Sequence, residues 1–173
     1  MLKPIKAKAF RAGDARFAIV ASQYNARYVD AMLEAATDEL ERAGARGVQV
    51  VRVPGAYEIP IVAARLSRAG SSHASRITSR AAFAAIICLG IILRGETVHA
   101  AHIGEAVTRA LMEIQLENEV PVIHEVLLLE NEEQARVRCL DPQHNRGREA
   151  AQTALAMAQV MAGLGSGGSA GRR

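Results

Sequence analysis

Apolar positions along the chain follow two periodicities that alternate from one end to the other. Four runs have the length and the apolar, often β-branched composition of strands. Between and after them, apolar residues recur at three- and four-residue spacing, which is typical of amphipathic helices. The predicted strands are residues 16–22, 48–53, 83–93 and 120–129. The predicted helices cover residues 25–44, 59–66, 97–114, 130–138 and 147–163.

This alternation predicts a single α/β domain over residues 1–173, built as a three-layer α/β/α sandwich around a mainly parallel four-stranded sheet. The third strand is the most apolar, and its nearly continuous hydrophobicity indicates burial on both faces. Residues 1–14 are polar and basic, and we expect them to form an N-terminal arm. Residues 69–80 are rich in Ser and Arg and are predicted as a loop, and the Gly/Ser-rich residues 164–173 as a flexible tail.

Composition narrows the classes of function. Half of the 173 residues are hydrophobic, Trp is absent, and the formal net charge is only +3. The basic residues gather in the arm and in the 69–80 loop without aromatic residues between them, so we expect no nucleic-acid partner. The longest apolar run, residues 81–93, is too short to span a bilayer, and no secretion signal is visible. We therefore expect a cytoplasmic protein without a membrane partner, and a buried thiol at Cys88.

The loop after the third strand carries the richest chemistry. Ligands of parallel α/β sheets bind just beyond the carboxyl ends of the strands, and Gly95-Glu96-Thr97 lies there at the start of a predicted helix. Unpaired backbone N–H groups and the helix dipole attract an anion, so this turn is a candidate phosphate or carboxylate cradle. His99, in the first helical turn, is placed to act as a general acid or base. In the alternative interpretation, Thr97 is only an N-cap and His99 only an exposed residue.

The first two loops add aromatic and carboxylate groups at the same edge. Tyr24 follows the first strand and either stacks on a planar ligand or packs on the next helix. Tyr57 and Glu58 follow the second strand; Tyr57 is alternatively a core residue, and Glu58 alternatively offsets a helix dipole. Together the three loops suit a planar heterocycle with a polyol and a phosphorylated small molecule.

His99, His102 and Glu105 lie three residues apart and invite comparison with metal-binding helices. Each residue turns the helix by about 100°, so the residue at i+6 lies well away from the face of residue i. We therefore expect no metal site, and a metal-dependent hydrolase is the weakest of the functional hypotheses.

Six motifs, in this order and spacing, resemble the 6,7-dimethyl-8-ribityllumazine synthase family from about residue 17 to residue 161. They are SQYN, VPGAYEIP, LGIILRGETVH, VPVI, ENEEQA followed by Arg138, and NRGREAA. The resemblance implies a flavodoxin-like fold and a transferase that condenses 5-amino-6-ribitylaminouracil with 3,4-dihydroxy-2-butanone 4-phosphate. This reaction is the penultimate step of riboflavin biosynthesis. The resemblance implies neither a metal nor a cofactor.

The resemblance also implies roles for individual residues. His99 corresponds to the proton-transfer histidine and Arg138 to a phosphate-binding arginine, and these two are the expected catalytic residues. Arg146 takes the place of a common Lys, and His124 that of a Phe that packs on the pyrimidine. The other expected substrate contacts are Tyr24 for stacking, Ala56, Tyr57 and Glu58 for the ribityl chain, Ile91, Ile92 and Leu93 for the pyrimidine edge, and Glu96 and Thr97 for the phosphate.

The resemblance further implies a homo-oligomer, because the His124 position and the Arg138 region of one subunit complete the site of its neighbour. The family forms pentamers, some of which assemble into hollow shells; we expect a shell slightly over a free pentamer, and riboflavin synthase as a further partner. His124 and Glu125 depart from the family's Phe-Gly. In the alternative hypothesis these changes spoil the pocket, and the chain is an impaired paralogue that binds lumazine or flavin or forms a shell.

Overall fold

The four strands among the described residues form one sheet in which every neighbouring pair is parallel. The computed structural model describes residues 11–70 and 83–166. In this part of the chain the strands are β1 Arg16–Ser22, β2 Gly47–Val53, β3 Ala85–Leu93 and β4 Val122–Leu129. Their spatial order is β2-β1-β3-β4, so β1 and β3 are central and all carboxyl ends lie at one edge.

Helices cover both faces of this sheet. In the described residues they are α1 Ala26–Arg42, α2 Ile59–Ser67, α3 His99–Asn118, α4 Glu132–Ala135 and α5 Arg146–Ser166. Short 3₁₀ turns, Ala56–Glu58 and Arg68–Gly70, flank α2, and a π-helical turn, Arg136–Leu140, follows α4 directly. α1 and α5 pack on one face, and α2 and α3 on the other. The predicted three-layer α/β/α sandwich is confirmed, and its sheet is parallel throughout.

The side chains of β3 explain the layering. Ile87 and Leu89 face α1 and α5, whereas Ile86 and Cys88 alternate with them and face α2 and α3; all four are fully buried. Successive side chains of a strand point to opposite faces, so a continuous apolar run fills the core on both sides. Burial raises the pKa of the Cys88 thiol well above its ordinary value, and the predicted buried thiol is confirmed.

Several boundaries differ from the sequence prediction. The helix predicted over residues 130–138 is two elements, α4 and the π-helical turn. α5 continues to Ser166, so the first three residues of the predicted flexible tail are helical. Each residue added to an established helix gains one backbone hydrogen bond, which offsets the weak helix propensity of Gly and Ser.

Residues 1–10, 71–82 and 167–173 lie outside the described residues. Most of the predicted arm, nearly all of the Ser/Arg-rich loop and the rest of the predicted tail therefore stay predictions. Within the described ranges, no helix is long and apolar enough to cross a membrane.

Candidate active site

The loops after β1 and β2 are joined at the carboxyl edge of the sheet. The Tyr24 backbone N–H donates to the Pro54 carbonyl at 3.1 Å. A Cβ atom on Gly55 would lie 3.0 Å from Cδ2 of the Tyr24 ring and 3.0 Å from Glu58 Oε2, so only glycine fits between them without displacement. Tyr24 is 71% exposed and Tyr57 is 65% exposed. Neither aromatic ring is buried in the core, so the alternative interpretation of Tyr57 as a core residue is wrong.

Glu58 has a structural role and a free oxygen. Its Oε2 accepts a hydrogen bond from the Gly55 backbone N–H at 2.9 Å, which caps the 3₁₀ turn before α2. No hydrogen bond to Oε1 occurs among the described residues. Glu58 is half-buried and Ala56, at the start of the same turn, is buried. A ligand hydroxyl that reaches this turn therefore meets an ordered carboxylate with one unused acceptor.

Asn25 connects this pair of loops to β3. Its side-chain Nδ2 donates to the Ile91 carbonyl at 2.9 Å, and its backbone has a left-handed φ of 57° at the N-cap of α1. Asn adopts this conformation more readily than most residues. Ile91 and Ile92 are buried and Leu93 is half-buried. β4 pairs with all three residues, whereas the pairing of β1 with β3 ends at Leu89.

The third loop ends at the N-terminus of α3. The helix begins at His99, the N-cap is Val98, and no side chain caps it; the alternative interpretation of Thr97 as the N-cap is therefore wrong. The first N–H groups of a helix have no intrahelical partner and lie at the positive end of its dipole. Glu96, Thr97 and His99 are all exposed around this end. The arrangement can bind an anion and place an imidazole beside it.

His124 lies in β4 and is hydrogen-bonded through both ring nitrogens. The Val126 backbone N–H donates to Nδ1 at 3.2 Å, which requires the proton to be on Nε2. Nε2 lies 2.8 Å from Thr108 Oγ1 in α3, and that hydroxyl donates to the Gly104 carbonyl at 2.8 Å. Burial lowers the pKa of His124, so the ring is neutral at physiological pH. Both ring nitrogens therefore have hydrogen-bond partners within the chain.

Arg146, the first residue of α5, forms a two-point ion pair with Glu125 of β4. Nη2 donates to Oε1 at 2.8 Å and Nε donates to Oε2 at 3.1 Å. Nη1 also donates to Glu149, one turn further along α5. Asn145 caps this end of the helix, since its Oδ1 accepts from the Gly147 N–H at 2.9 Å.

Arg138 lies in the π-helical turn and is exposed. No hydrogen bond or ion pair of its guanidinium occurs within residues 11–70 and 83–166, whereas its neighbour Arg136 is paired with Glu133 at 2.7 Å. Its charge acts on the Glu125 carboxylate and on the Cys139 thiol. π-helical turns often occur at functional sites.

The expected site residues fall into two groups in one chain. Tyr24, Ala56, Tyr57, Glu58, Ile91, Ile92, Leu93, Glu96, Thr97 and His99 lie at the carboxyl edge of β1, β2 and β3. His124 pairs with Cys88 in the sheet, five residues before Leu129 at that edge, or about 16 Å along the strand. No hydrogen bond or ion pair between described residues joins the first group to His124, Arg138 or Arg146. The structure therefore does not bring all expected residues into one pocket of one chain.

The metal hypothesis finds no support in this geometry. Among the residues that the structure describes, no group of three or more His, Cys, Asp and Glu side chains is placed to hold a metal ion. His99, His102 and Glu105 are spread along α3, as their spacing predicts.

An exposed aromatic ring, a hydrogen-bonded carboxylate and a histidine at a helix N-terminus lie together at the carboxyl edge of a parallel sheet. This arrangement is typical of an α/β enzyme that acts on a small molecule. The family model described as 6,7-dimethyl-8-ribityllumazine synthase matches residues 14–162. The chain belongs to the 6,7-dimethyl-8-ribityllumazine synthase family.

Curated relatives of the same name cover most of the chain. The protein of Xanthomonas campestris pv. campestris (strain B100) is 40% identical over 85% of this chain and 90% of its own length. That of Stenotrophomonas maltophilia (strain R551-3) is 40% identical over 85% of this chain and 89% of its own length. That of Xanthomonas axonopodis pv. citri (strain 306) is 38% identical over 85% of this chain and 90% of its own length.

Three contacts that organise the site are absent from the sequence prediction. The sequence indicates Asn25 only as the start of a helical pattern. Its hydrogen bond to Ile91 joins residues 66 positions apart, which local pattern does not predict. Gly55 leaves room for both the Tyr24 ring and the Glu58 carboxylate. The sequence marks Glu125 only as a departure from the resemblance, and its contact with Arg146 is not predicted. The available signal is an acid inside an apolar predicted strand.

Proposed function

We propose that this chain condenses 5-amino-6-ribitylaminouracil with 3,4-dihydroxy-2-butanone 4-phosphate to form 6,7-dimethyl-8-ribityllumazine. The observation that carries the proposal is the family match over residues 14–162, which spans every element of the carboxyl edge and the segment with Arg138 and Arg146. In this reaction the amine attacks the ketone and loses water to give an imine, phosphate is eliminated, and the ring closes with loss of a second water. The protein has to hold two reactants together and move protons between them.

The carboxyl-edge residues divide between the parts of the first substrate. Tyr24 stacks on the pyrimidine, and the backbone of Ile91, Ile92 and Leu93 bonds to its edge. The ribityl chain lies along the turn Ala56–Glu58, where Glu58 Oε1 accepts from a hydroxyl. The exposure of Tyr24 and the unused Glu58 oxygen support this arrangement. Asn25 positions the backbone at Ile91 by donating a hydrogen bond to its carbonyl.

The second substrate lies at the start of α3. The backbone N–H groups around Glu96 and Thr97 bind the phosphate, and His99 transfers protons beside it. Arg138 supplies a guanidinium, whose fork of N–H donors matches a phosphate group. The unpaired state of Arg138 in the described part of the chain supports this role.

Arg138, Arg146 and His124 complete the site of a neighbouring subunit in a homo-oligomer. The arrangement of the two groups within one chain supports this proposal, because no hydrogen bond or ion pair between described residues joins them. His124 lies three to five residues, or about 10–16 Å, along the sheet from Ile91, Ile92 and Leu93. Large apolar side chains that one chain leaves exposed support it further: Ile61, Val98, Met112 and Leu116. We propose a pentamer as the basic assembly, a shell of pentamers as the larger one, riboflavin synthase as a partner and the cytoplasm as the location.

An enzyme assay tests the reaction. Purified protein is mixed with both substrates, and the fluorescent lumazine is followed against the uncatalysed rate. A clear acceleration is expected. A folded, oligomeric protein that gives no acceleration would refute the proposed activity.

Native mass spectrometry tests the assembly, with a pentamer or a multiple of five expected. A stable, active monomer would exclude a site shared between subunits. Mixing an impaired Glu58→Ala subunit with an impaired Arg138→Ala subunit, at a concentration of the phosphorylated substrate below its KM, sharpens the test. If the two residues serve one site from different subunits, mixed oligomers regain part of the activity.

A further inference from the structure

Glu125 is a carboxylate almost completely removed from water, with 5% of its surface exposed. Among the described residues its hydrogen-bond partner is Arg146, which meets both carboxylate oxygens at 2.8 and 3.1 Å. Burial raises the pKa of Glu125, and the Arg146 guanidinium opposes that rise. A charge buried in this way is tolerated because its partner is fixed by two parallel hydrogen bonds.

The single positive charge of Arg146 lies beside two carboxylates. Glu149 accepts a third hydrogen bond from the same guanidinium. Burial by itself lowers the pKa of Arg146, but the two carboxylates reverse this effect, and the pKa lies above its ordinary value. One positive charge therefore faces two negative charges. Three of the five N–H groups are used, and two keep no partner among the described residues.

Arg138 has the opposite character. It is exposed, and its guanidinium makes no ion pair within the described residues. It nevertheless lies near the ion pair, because the side-chain amide of Asn145, the residue before Arg146, donates to the carbonyl of Cys139, the residue after Arg138. Its charge lowers the pKa of Glu125 and opposes the rise that burial and Glu125 cause in the pKa of Cys139. Two arginines thus share one neighbourhood, but only Arg146 has its charge cancelled.

We infer that Glu125 is a positioning residue that fixes Arg146 as a charge-compensated hydrogen-bond donor and leaves Arg138 as the anion-binding cation of this surface. The inference rests on the proposed function only for the identity of the anion, a phosphorylated substrate. It assigns different tasks to two residues of like charge. Arg138 attracts the phosphate, while Arg146 offers two oriented N–H groups to a polar, uncharged part of a ligand.

Direct titration of the assembled protein with inorganic phosphate tests this division. The variants are Arg138→Gln, Glu125→Gln, and the double variant Glu125→Gln with Arg146→Gln, which removes both charges of the pair and leaves no buried charge unpaired. We expect Arg138→Gln to weaken phosphate binding at least about tenfold, because a charge-assisted contact is lost. The double variant should change it less than about twofold. Glu125→Gln alone should tighten it about three- to fivefold, because one of the two negative charges beside Arg146 is removed.

Two controls separate charge from misfolding. Glu39→Gln changes the net charge equally at a distant ion pair, that of Arg42 in α1, and should leave phosphate affinity unchanged. Glu125→Asp keeps the charge and should stay close to the wild type. Circular dichroism and the mass of the assembly report whether each variant folds.

The inference is overturned if the double variant loses as much affinity as Arg138→Gln, because Arg146 would then bind the anion itself. It is also overturned if Glu125→Gln does not tighten binding, or if an active wild type binds no phosphate. A wild type without synthase activity would refute the proposed function, regardless of which arginine determines the affinity for phosphate.

Discussion

Gly147 provides the sharpest test of how the fold positions the arginine end of the site. It is the second residue of α5 and is buried against α1. A Cβ atom on it would lie 1.9 Å from the Met32 carbonyl oxygen and 2.5 Å from the carbonyl carbon, whereas real Cβ contacts are essentially never under 3.0 Å. The obstacle is backbone, so the Gly147→Ala change forces the two helices at least about 1 Å apart. Overpacking a core costs about 1–3 kcal/mol, and here no flexible side chain can yield. We expect a loss of about 3 kcal/mol or more.

The free energy of unfolding is measured by urea titration at one fixed protein concentration, because subunit association makes apparent stability depend on concentration. Gly163→Ala is the matched control in the same helix, since no atom lies within 4 Å of the added Cβ. Alanine has the higher helix propensity, so the control should be more stable than the wild type by up to about 1 kcal/mol. A Gly147→Ala variant within about 0.5 kcal/mol of the wild type would refute the argument.

Three further predictions concern the chemistry. His99→Ala should lower the single-turnover rate constant about a hundredfold but leave it above the uncatalysed rate, because positioning supplies the remaining acceleration. Complete loss of activity in a folded variant would contradict this. Arg138→Ala should raise the KM of the phosphorylated substrate about tenfold or more with the KM of the pyrimidine unchanged, and equal effects on both would contradict the assignment. The pKa of His124 is lower in the folded chain than its ordinary 6.5, so its contribution to stability is full above pH 6.5 and is lost as the pH falls below it. Urea titrations at several pH values should show this loss in the wild type and not in His124→Gln.

The architecture of the protein was largely predictable from local pattern. Apolar runs and helical spacing report burial directly, and the order of strands and helices follows from them. The errors lie where local preference competes with packing. Thr97 is a good N-cap by residue type, but α3 begins two residues later. Gly and Ser near residue 165 predict a helix end, but α5 continues to Ser166.

The residue types of the candidate site were predictable, but their contacts were not. The loop residues follow from the rule that ligands meet the carboxyl ends of parallel strands. Two contacts depend on how segments far apart in sequence meet in the fold: the hydrogen bond from Asn25 to Ile91 and the ion pair of Glu125 with Arg146. Periodicity in the sequence does not show which segments meet. Residue-by-residue resemblance is no substitute, because both Glu125 and Arg146 depart from the family pattern.

His124 and Glu125 are adjacent in sequence but act on opposite faces of the sheet. Side chains alternate along a strand, and here His124 contacts Thr108 of α3 while Glu125 contacts Arg146 of α5. His124 and Glu125 therefore do not alter the same pocket, as the hypothesis of an impaired paralogue assumes. Each has its polar atoms matched within the chain: the imidazole by Thr108 and the Val126 N–H, and the carboxylate by a guanidinium. Random loss of a site leaves buried polar groups unmatched, at a cost of about 1–3 kcal/mol each. In the pair of Glu125 with Arg146 the buried acid is instead neutralised by a guanidinium that meets both of its oxygens, which argues against a spoiled site.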